Sequence, residues 1–222
     1  MLETLDPRRR QMTRAFWGSA ALFLGFLITT QQVLTNGSLI KVDATIANAH
    51  RHNFTPWIDF ILMKIDNLGL RGLTATILVL SALLIAWKFK TWRPLNLAVI
   101  SLLALNLVVG LAKLAVGRTK PKLNIDLIYA GGLSYPSGHA SNALLTWGIL
   151  AYLIYRYTYR DGYHGRLLAG GVTVITLSVC TVSLFRNTHW LSDLLGGLFI
   201  GGALLVLVIA IDRSFPSESQ RS

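Results

Sequence analysis

The feature that most constrains this chain is a succession of long apolar runs separated by short polar segments. They lie at Ala15 to Leu34, about Leu73 to Trp87, about Leu95 to Val116, about Ala140 to Tyr155 (reaching back to Ser137), about Leu167 to Leu184 and about Leu191 to Ile211. A membrane-spanning helix needs about 20 predominantly apolar residues, so the pattern predicts an all-α integral membrane protein with six transmembrane helices in one bundle. Composition agrees. Apolar residues make up 53% of the 222 and charged residues 14%, against about 25% charged in an ordinary soluble domain. The mean hydropathy is +0.52. These values exclude both a soluble globule and a disordered chain. The single cysteine, Cys180, lies inside an apolar run, which excludes an intrachain disulfide framework and a cysteine-based zinc site.

The ends and connections follow. Arg8, Arg9, Arg10 and Arg14 precede the first run, as before a signal peptide, but the run ends in TTQQVLTNGS without a small-residue cleavage site, so it reads as a retained helix. Residues 1–14 are read as a cytoplasmic segment, 15–212 as one membrane domain and 213–222 as a polar cytoplasmic tail. With the N-terminus inside, twelve Lys and Arg fall on the cytoplasmic side and nine outside, the sense of the positive-inside rule. The net charge of +11 then fits anionic headgroups rather than nucleic acid. Between the first two runs, PWIDFILMKIDNLG carries Trp57, Ile58, Ile61, Leu62, Ile65 and Leu68 at helical spacing, with Asp59, Lys64, Asp66 and Asn67 at polar positions. It is read as an amphipathic helix on the outer surface or against the bundle.

Three clusters carry chemistry, all on the outer side. The first, Lys113 to Lys122, holds Lys113, Arg118, Lys120 and Lys122 within ten residues at a helix end. A charge within a span costs about 2.5–3.5 kcal/mol on insertion scales, so Lys113 either snorkels to the interface or meets an anion. The second is Tyr135-Pro136-Ser137-Gly138-His139-Ala140. There Ser137 is a helix N-cap, and the exposed N–H groups behind it form an anion site facing His139. The third is Arg186-Asn-Thr-His189-Trp190-Leu-Ser192-Asp193. His189 and Asp193 share one helix face, and a carboxylate on one imidazole nitrogen leaves the other basic. Taken singly, each cluster is also compatible with a structural role. Together they make an inventory for phosphoryl transfer: cations to bind an anion, a nucleophile and a proton donor. Two His and one Asp could hold a divalent metal, but the neighbouring cations repel one and favour an anion.

On these residues the chain resembles the type 2 phosphatidic acid phosphatase superfamily of membrane lipid phosphatases, whose pattern is Lys-x6-Arg-Pro, Pro-Ser-Gly-His and Ser-Arg-x5-His-x3-Asp. Pro136-Ser137-Gly138-His139 and His189-x3-Asp193 match, and Lys113-x6-Lys120-Pro121 matches with Lys for Arg. Asp43, Pro56, Asp59 and Gly69 look like the looser N-terminal pattern, and the likeness covers about residues 40–210. Two departures stand out. Lys120 keeps the charge of the first motif but not bidentate binding, which Arg118 could supply. The arginine expected six residues before the histidine is Ser183, and Arg186 stands almost one helical turn later.

The resemblance implies roles. His189 would attack phosphorus and carry a transient phosphohistidine. Asp193 would orient it. His139 would protonate the leaving oxygen and then activate water. Lys113, Arg118, Lys120 and Arg186, with Ser137 and the Gly138 N–H, would bind phosphate oxygens. It implies no metal or organic cofactor and no nucleic acid partner. The substrate would be a lipid of the membrane itself: phosphatidic acid, phosphatidylglycerol phosphate or a polyprenyl (pyro)phosphate. A phosphotransferase on the same scaffold, or a non-catalytic protein that binds or transports lipid phosphates, are the alternatives.

Overall fold

The computed structural model describes residues 7–49, 54–121 and 133–215. Lys122, the tail from 216 onward and the first six residues lie outside them. The described residues are helical almost throughout: α1 (Pro7–Leu34), α2 (Ser38–Asn48), α3 (Pro56–Asp66), α4 (Arg71–Phe89), α5 (Arg93–Val116), α6 (Gly138–Ile154), α7 (Gly162–Phe185) and α8 (Leu191–Ser214). A single 3-10 turn, Asn67–Gly69, joins α3 to α4, and a π turn, Tyr155–Tyr159, extends α6.

Five helices, α1, α4, α5, α7 and α8, are long and apolar enough to cross a membrane. Their burial shows how. Helix α4 buries Thr74, Leu78, Ala82 and Ala86, a narrow stripe of i, i+4 positions, while Leu80, Leu84 and Trp87 are more than half exposed. Helix α5 buries Ala98, Leu102, Leu105, Val109 and Lys113 and exposes Leu103, Leu107, Leu111 and Leu114. Leucine-rich outer faces, with a mostly small-residue inner stripe on α4, are the pattern of helices packed among lipid. Helix α6, with 17 residues, is shorter and lies at the centre, packed against α4, α5, α7 and α8. It approaches α8 closely because α8 offers glycines at an i, i+4 spacing. A Cβ on Gly197 would lie 2.5 Å from the Ser137 carbonyl oxygen, and one on Gly201 3.1 Å from the Ser141 backbone.

Two elements differ from the sequence reading. Helix α1 begins at Pro7, not Ala15. The arginines preceding the apolar run have good helix propensity, so the helix continues through them. The segment between the first two spans contains α2 as well as the expected helix α3. On α3, Ile58, Leu62 and Ile65 are half-buried and Asp59 and Lys64 exposed, but Trp57, Phe60 and Ile61 are exposed as well, while Asp66 is buried and α3 packs on α7. Helix α2 buries only Asp43, and that carboxylate docks it on the start of α8.

Candidate active site

The three sequence clusters meet at one end of the bundle, where α5 ends and α6 and α8 begin. Lys113 is the last residue of the buried stripe of α5, and its Nζ donates to the Leu133 carbonyl at 2.6 Å. Gly117 ends the helix at φ +67°, the left-handed conformation glycine tolerates best. The chain beyond it pairs with the chain before α6: Thr119 bridges Leu133, and Ser134 N–H donates to the Arg118 carbonyl at 2.6 Å. This short pairing holds the segment bearing Arg118 and Lys120 beside the start of α6.

Ser137 caps α6, its hydroxyl accepting from Ala140 N–H at 3.2 Å. Its own N–H donates to the Asp193 carbonyl at 2.8 Å, tying α6 to α8. The N–H groups of Gly138 and His139 have no acceptor within the helix, and among the described residues beyond its own chain neighbours and helix backbone no atom lies within 4 Å of the place a Cβ on Gly138 would take. The N-terminus of α6 therefore faces open space suited to an anion. Tyr135, fully buried, anchors the preceding loop through its hydroxyl, 2.8 Å from Thr30 Oγ1. Burial pushes this phenol up to about 12, so it stays neutral.

His139 and His189 face each other with ring centroids 5.8 Å apart. His189 is buried, and its Nδ1 lies 3.4 Å from Asp193 Oδ2, which turns Nε2 away from the carboxylate. Asp193 is fully buried. Besides the imidazole it accepts from Trp190 N–H at 3.0 Å and from Arg118 Nη1 at 3.1 Å. An oriented imidazole with one nitrogen held and the other free can act as nucleophile or base.

The two arginines are engaged by carboxylates. Arg118 pairs with Asp43 at 2.7 Å as well as with Asp193, donates to Ser192 Oγ and lies over the Trp190 ring, 4.9 Å from its centroid. Asp43 in turn accepts from Ser192 N–H at 2.9 Å. Arg186 caps the end of α7, its Nε donating to Asp59 at 3.2 Å and its Nη1 3.8 Å from Asp66. Ser183, where the resemblance expects arginine, donates its hydroxyl to Asp66 at 2.8 Å. Lys120 is half-buried and has no hydrogen-bond partner among the described residues, which leaves it able to meet a ligand.

Lys113, Arg118, Lys120, Ser137, Gly138, His139, Arg186, His189 and Asp193 thus stand at one end of the bundle, while Lys122 lies outside the described residues. Asp43 had a signal there, through the looser N-terminal pattern. Asp66 and Ser192 had none beyond polarity, because their partners are distant in the chain. No three His, Cys, Asp or Glu among the described residues converge as metal ligands.

A multi-pass helical membrane protein with a histidine pair, a buried carboxylate and cations at one membrane end is the class that fold and site define. The PAP2 superfamily model matches residues 94–216, and the chain belongs to that superfamily as a PAP2-type membrane phosphatase. It is 25% identical over 201 residues to phosphatidylglycerophosphatase B of Bacillus subtilis (strain 168), covering 90% of this chain and 98% of that protein. Its fold matches the crystal structure of a transmembrane PAP2-type phosphatidylglycerolphosphate phosphatase from Bacillus subtilis with a TM-score of 0.81, at 24% identity, over 91% of this chain and 99% of the other.

Proposed function

We propose that this chain hydrolyses a phosphate monoester or pyrophosphate of a membrane lipid through a phosphohistidine intermediate, without a metal. The observation that carries the reading is the His189–Asp193 pair facing His139 across 5.8 Å, beside the open N-terminus of α6. His189 Nε2 forms the bond to phosphorus as the bond to the lipid oxygen breaks. His139 gives that oxygen its proton. In the second step water loses a proton to His139 as its oxygen bonds phosphorus and the phosphorus–nitrogen bond breaks. Lys113 and Lys120 supply charge for the phosphate oxygens, with the Gly138 N–H. Arg118 supports this role by fixing Asp193, and Arg186 reaches the pocket from α7.

In this reading α6 is the sixth span, since with the π turn it continues from Gly138 to Tyr159, about 30 Å at 1.5 Å per residue. The termini are cytoplasmic and the site opens at the outer leaflet, so a lipid can enter sideways with its head at the cations. The name of the Bacillus relative makes phosphatidylglycerol phosphate the first substrate to try, beside phosphatidic acid and a polyprenyl pyrophosphate. The test is phosphate release by the purified protein in detergent with EDTA, run beside His189→Ala. Release that survives EDTA and vanishes in the variant is expected; release abolished by EDTA, or equal in the variant, overturns the mechanism. The rate should also be bell-shaped in pH, with one group required neutral and one protonated; a flat profile from about pH 5 to 9 contradicts the paired roles.

A further inference from the structure

The carboxylate of Asp66 has no part in the mechanism above, and its position is unfavourable for a site that binds phosphate. It is buried at the end of α3, within reach of the pocket, where a negative charge repels the substrate. Three contacts hold it there. Ser183 Oγ donates to Oδ1 at 2.8 Å. Arg186 Nη1 lies 3.8 Å from Oδ2, and His139 Nε2 lies 3.9 Å from the same oxygen. The 3-10 turn that follows is pressed against His139 itself: a Cβ on Gly69 would come within 2.8 Å of the His139 carbonyl oxygen. The backbone segments that carry the carboxylate and the imidazole are therefore packed directly against each other.

The charges around His139 explain what such a group can do. Among the described residues it faces Lys113 from α5, Lys120 from the following loop, His189 from the start of α8 and, from α3, the carboxylate of Asp66. Arg186, at the end of α7, stands behind Asp66 and is itself held by Asp59. Burial first, and the surrounding cations after it, disfavour the charged form of this ring, yet a general acid must hold a proton until the leaving oxygen forms. The position where the resemblance places arginine is Ser183, and its hydroxyl anchors the carboxylate instead. Relative to that pattern, the pocket has exchanged a cation for an anion beside the proton donor.

We infer that Asp66, anchored by Ser183, is the positioning residue of the general acid: it holds the His139 ring toward its carboxylate and opposes the cations on the ring's other sides. The inference rests on the reading of His139 as proton donor. The contact is a charge contact at 3.9 Å rather than a hydrogen bond, and an opposite charge within about 4–6 Å favours the charged form of an ionisable group.

The experiment compares wild type, Asp66→Asn and Asp66→Glu in phosphate release from phosphatidylglycerol phosphate across pH, with His189→Ala as the inactive control. In Asp66→Asn the alkaline limb of kcat/KM is expected to move to lower pH while the acid limb stays. At pH 8 kcat falls about tenfold or more, yet KM does not rise, because a repulsive charge has left the pocket. Asp66→Glu restores the alkaline limb. Unmoved limbs, or a fall in kcat with a matching rise in KM, overturn the inference. Histidine-labelled NMR of the same proteins decides the matter without turnover: the His139 ring should titrate at lower pH in Asp66→Asn, and an unchanged midpoint refutes the role. Asp66→Ser, for which the same shifts are expected, replaces the amide should that variant not fold. A wild type that releases no phosphate while His139 shifts as expected would sink the phosphatase reading and leave the Asp66–His139 coupling standing; normal release with no shift would do the reverse.

Discussion

Helix α8 carries a buried carboxylate near each end, and the two are handled differently. At its C-terminal end Asp212 meets Arg93 Nε at 2.7 Å, the Arg156 guanidinium and the Tyr152 hydroxyl at 2.6 Å. Arg93 also reaches the Phe215 carbonyl at 2.6 Å. The cluster ties α5, α6 and α8 together. At the N-terminal end Asp193 meets one guanidinium, one backbone N–H and one imidazole, the last at 3.4 Å. Two arginines and a phenol always present donors, so the first cluster holds one state. An imidazole can be neutral or charged, so the second can change state without coming apart. With Lys120 outside any described ion pair, the N-terminal end keeps positive charge in reserve for a ligand, whereas the guanidinium groups at the other end are committed. The same residue types thus build a fastening in one place and a site in the other.

The sharpest way to break this comparison is to remove the imidazole. His189→Ala should lower phosphate release by about 10³-fold or more, as removal of a nucleophile does elsewhere, while the thermal midpoint changes little, since Asp193 keeps Arg118 and the Trp190 N–H. Asp212→Asn should do the opposite. Removing one partner of a buried ion pair costs about 3–5 kcal/mol, so thermal unfolding in detergent should come at clearly lower temperature, with kcat of the folded fraction within about twofold of wild type. A large loss of kcat in Asp212→Asn, or of stability in His189→Ala, would mean that the two ends are not separable in this way.

What could be read from the sequence, and what could not, follows the range of the interactions. The apolar runs mark α4 to α8 because lipid requires long apolar helices. His189 and Asp193 could be paired from their spacing because four residues on a helix share a face. For Lys113 the sequence left snorkelling and anion binding open; the buried stripe of α5, which places it inward one i, i+4 step beyond Val109, is seen only in the structure. Asp66 and Ser183 are 117 residues apart, and Asp43 and Ser192 are 149 apart; no local periodicity reports such contacts. The acidic residues of α3 looked like the polar side of a surface helix because helical spacing shows which residues share a face, not what that face meets. Asp59 and Lys64 do stand on the exposed side of α3, beside Trp57 and Phe60, but Asp66 turns inward, because Ser183 on α7 meets it there. The same local rule missed the start of α1, where arginines outside the apolar run continue the helix.

The smallest expected effect tests the reserve of charge itself. Lys120 and Lys90 both lie just beyond an end of α4 or α5, but only Lys120 stands at the histidine end, where it faces both His139 and Lys113. If its charge serves the phosphate, Lys120→Gln should raise KM with little change in kcat, the signature of an interaction made equally in ground and transition states. A charge-assisted contact of about 1.5 kcal/mol corresponds to roughly a tenfold rise. Screening should narrow the gap between variant and wild type as salt rises from about 0.05 to 0.5 M. Lys90→Gln, which removes the same charge from the opposite end, should leave KM unchanged at either salt. Equal effects from the two substitutions would show that the overall positive charge attracts the substrate and that Lys120 has no local role; a fall in kcat at constant KM for Lys120→Gln would instead place this lysine on the transition state.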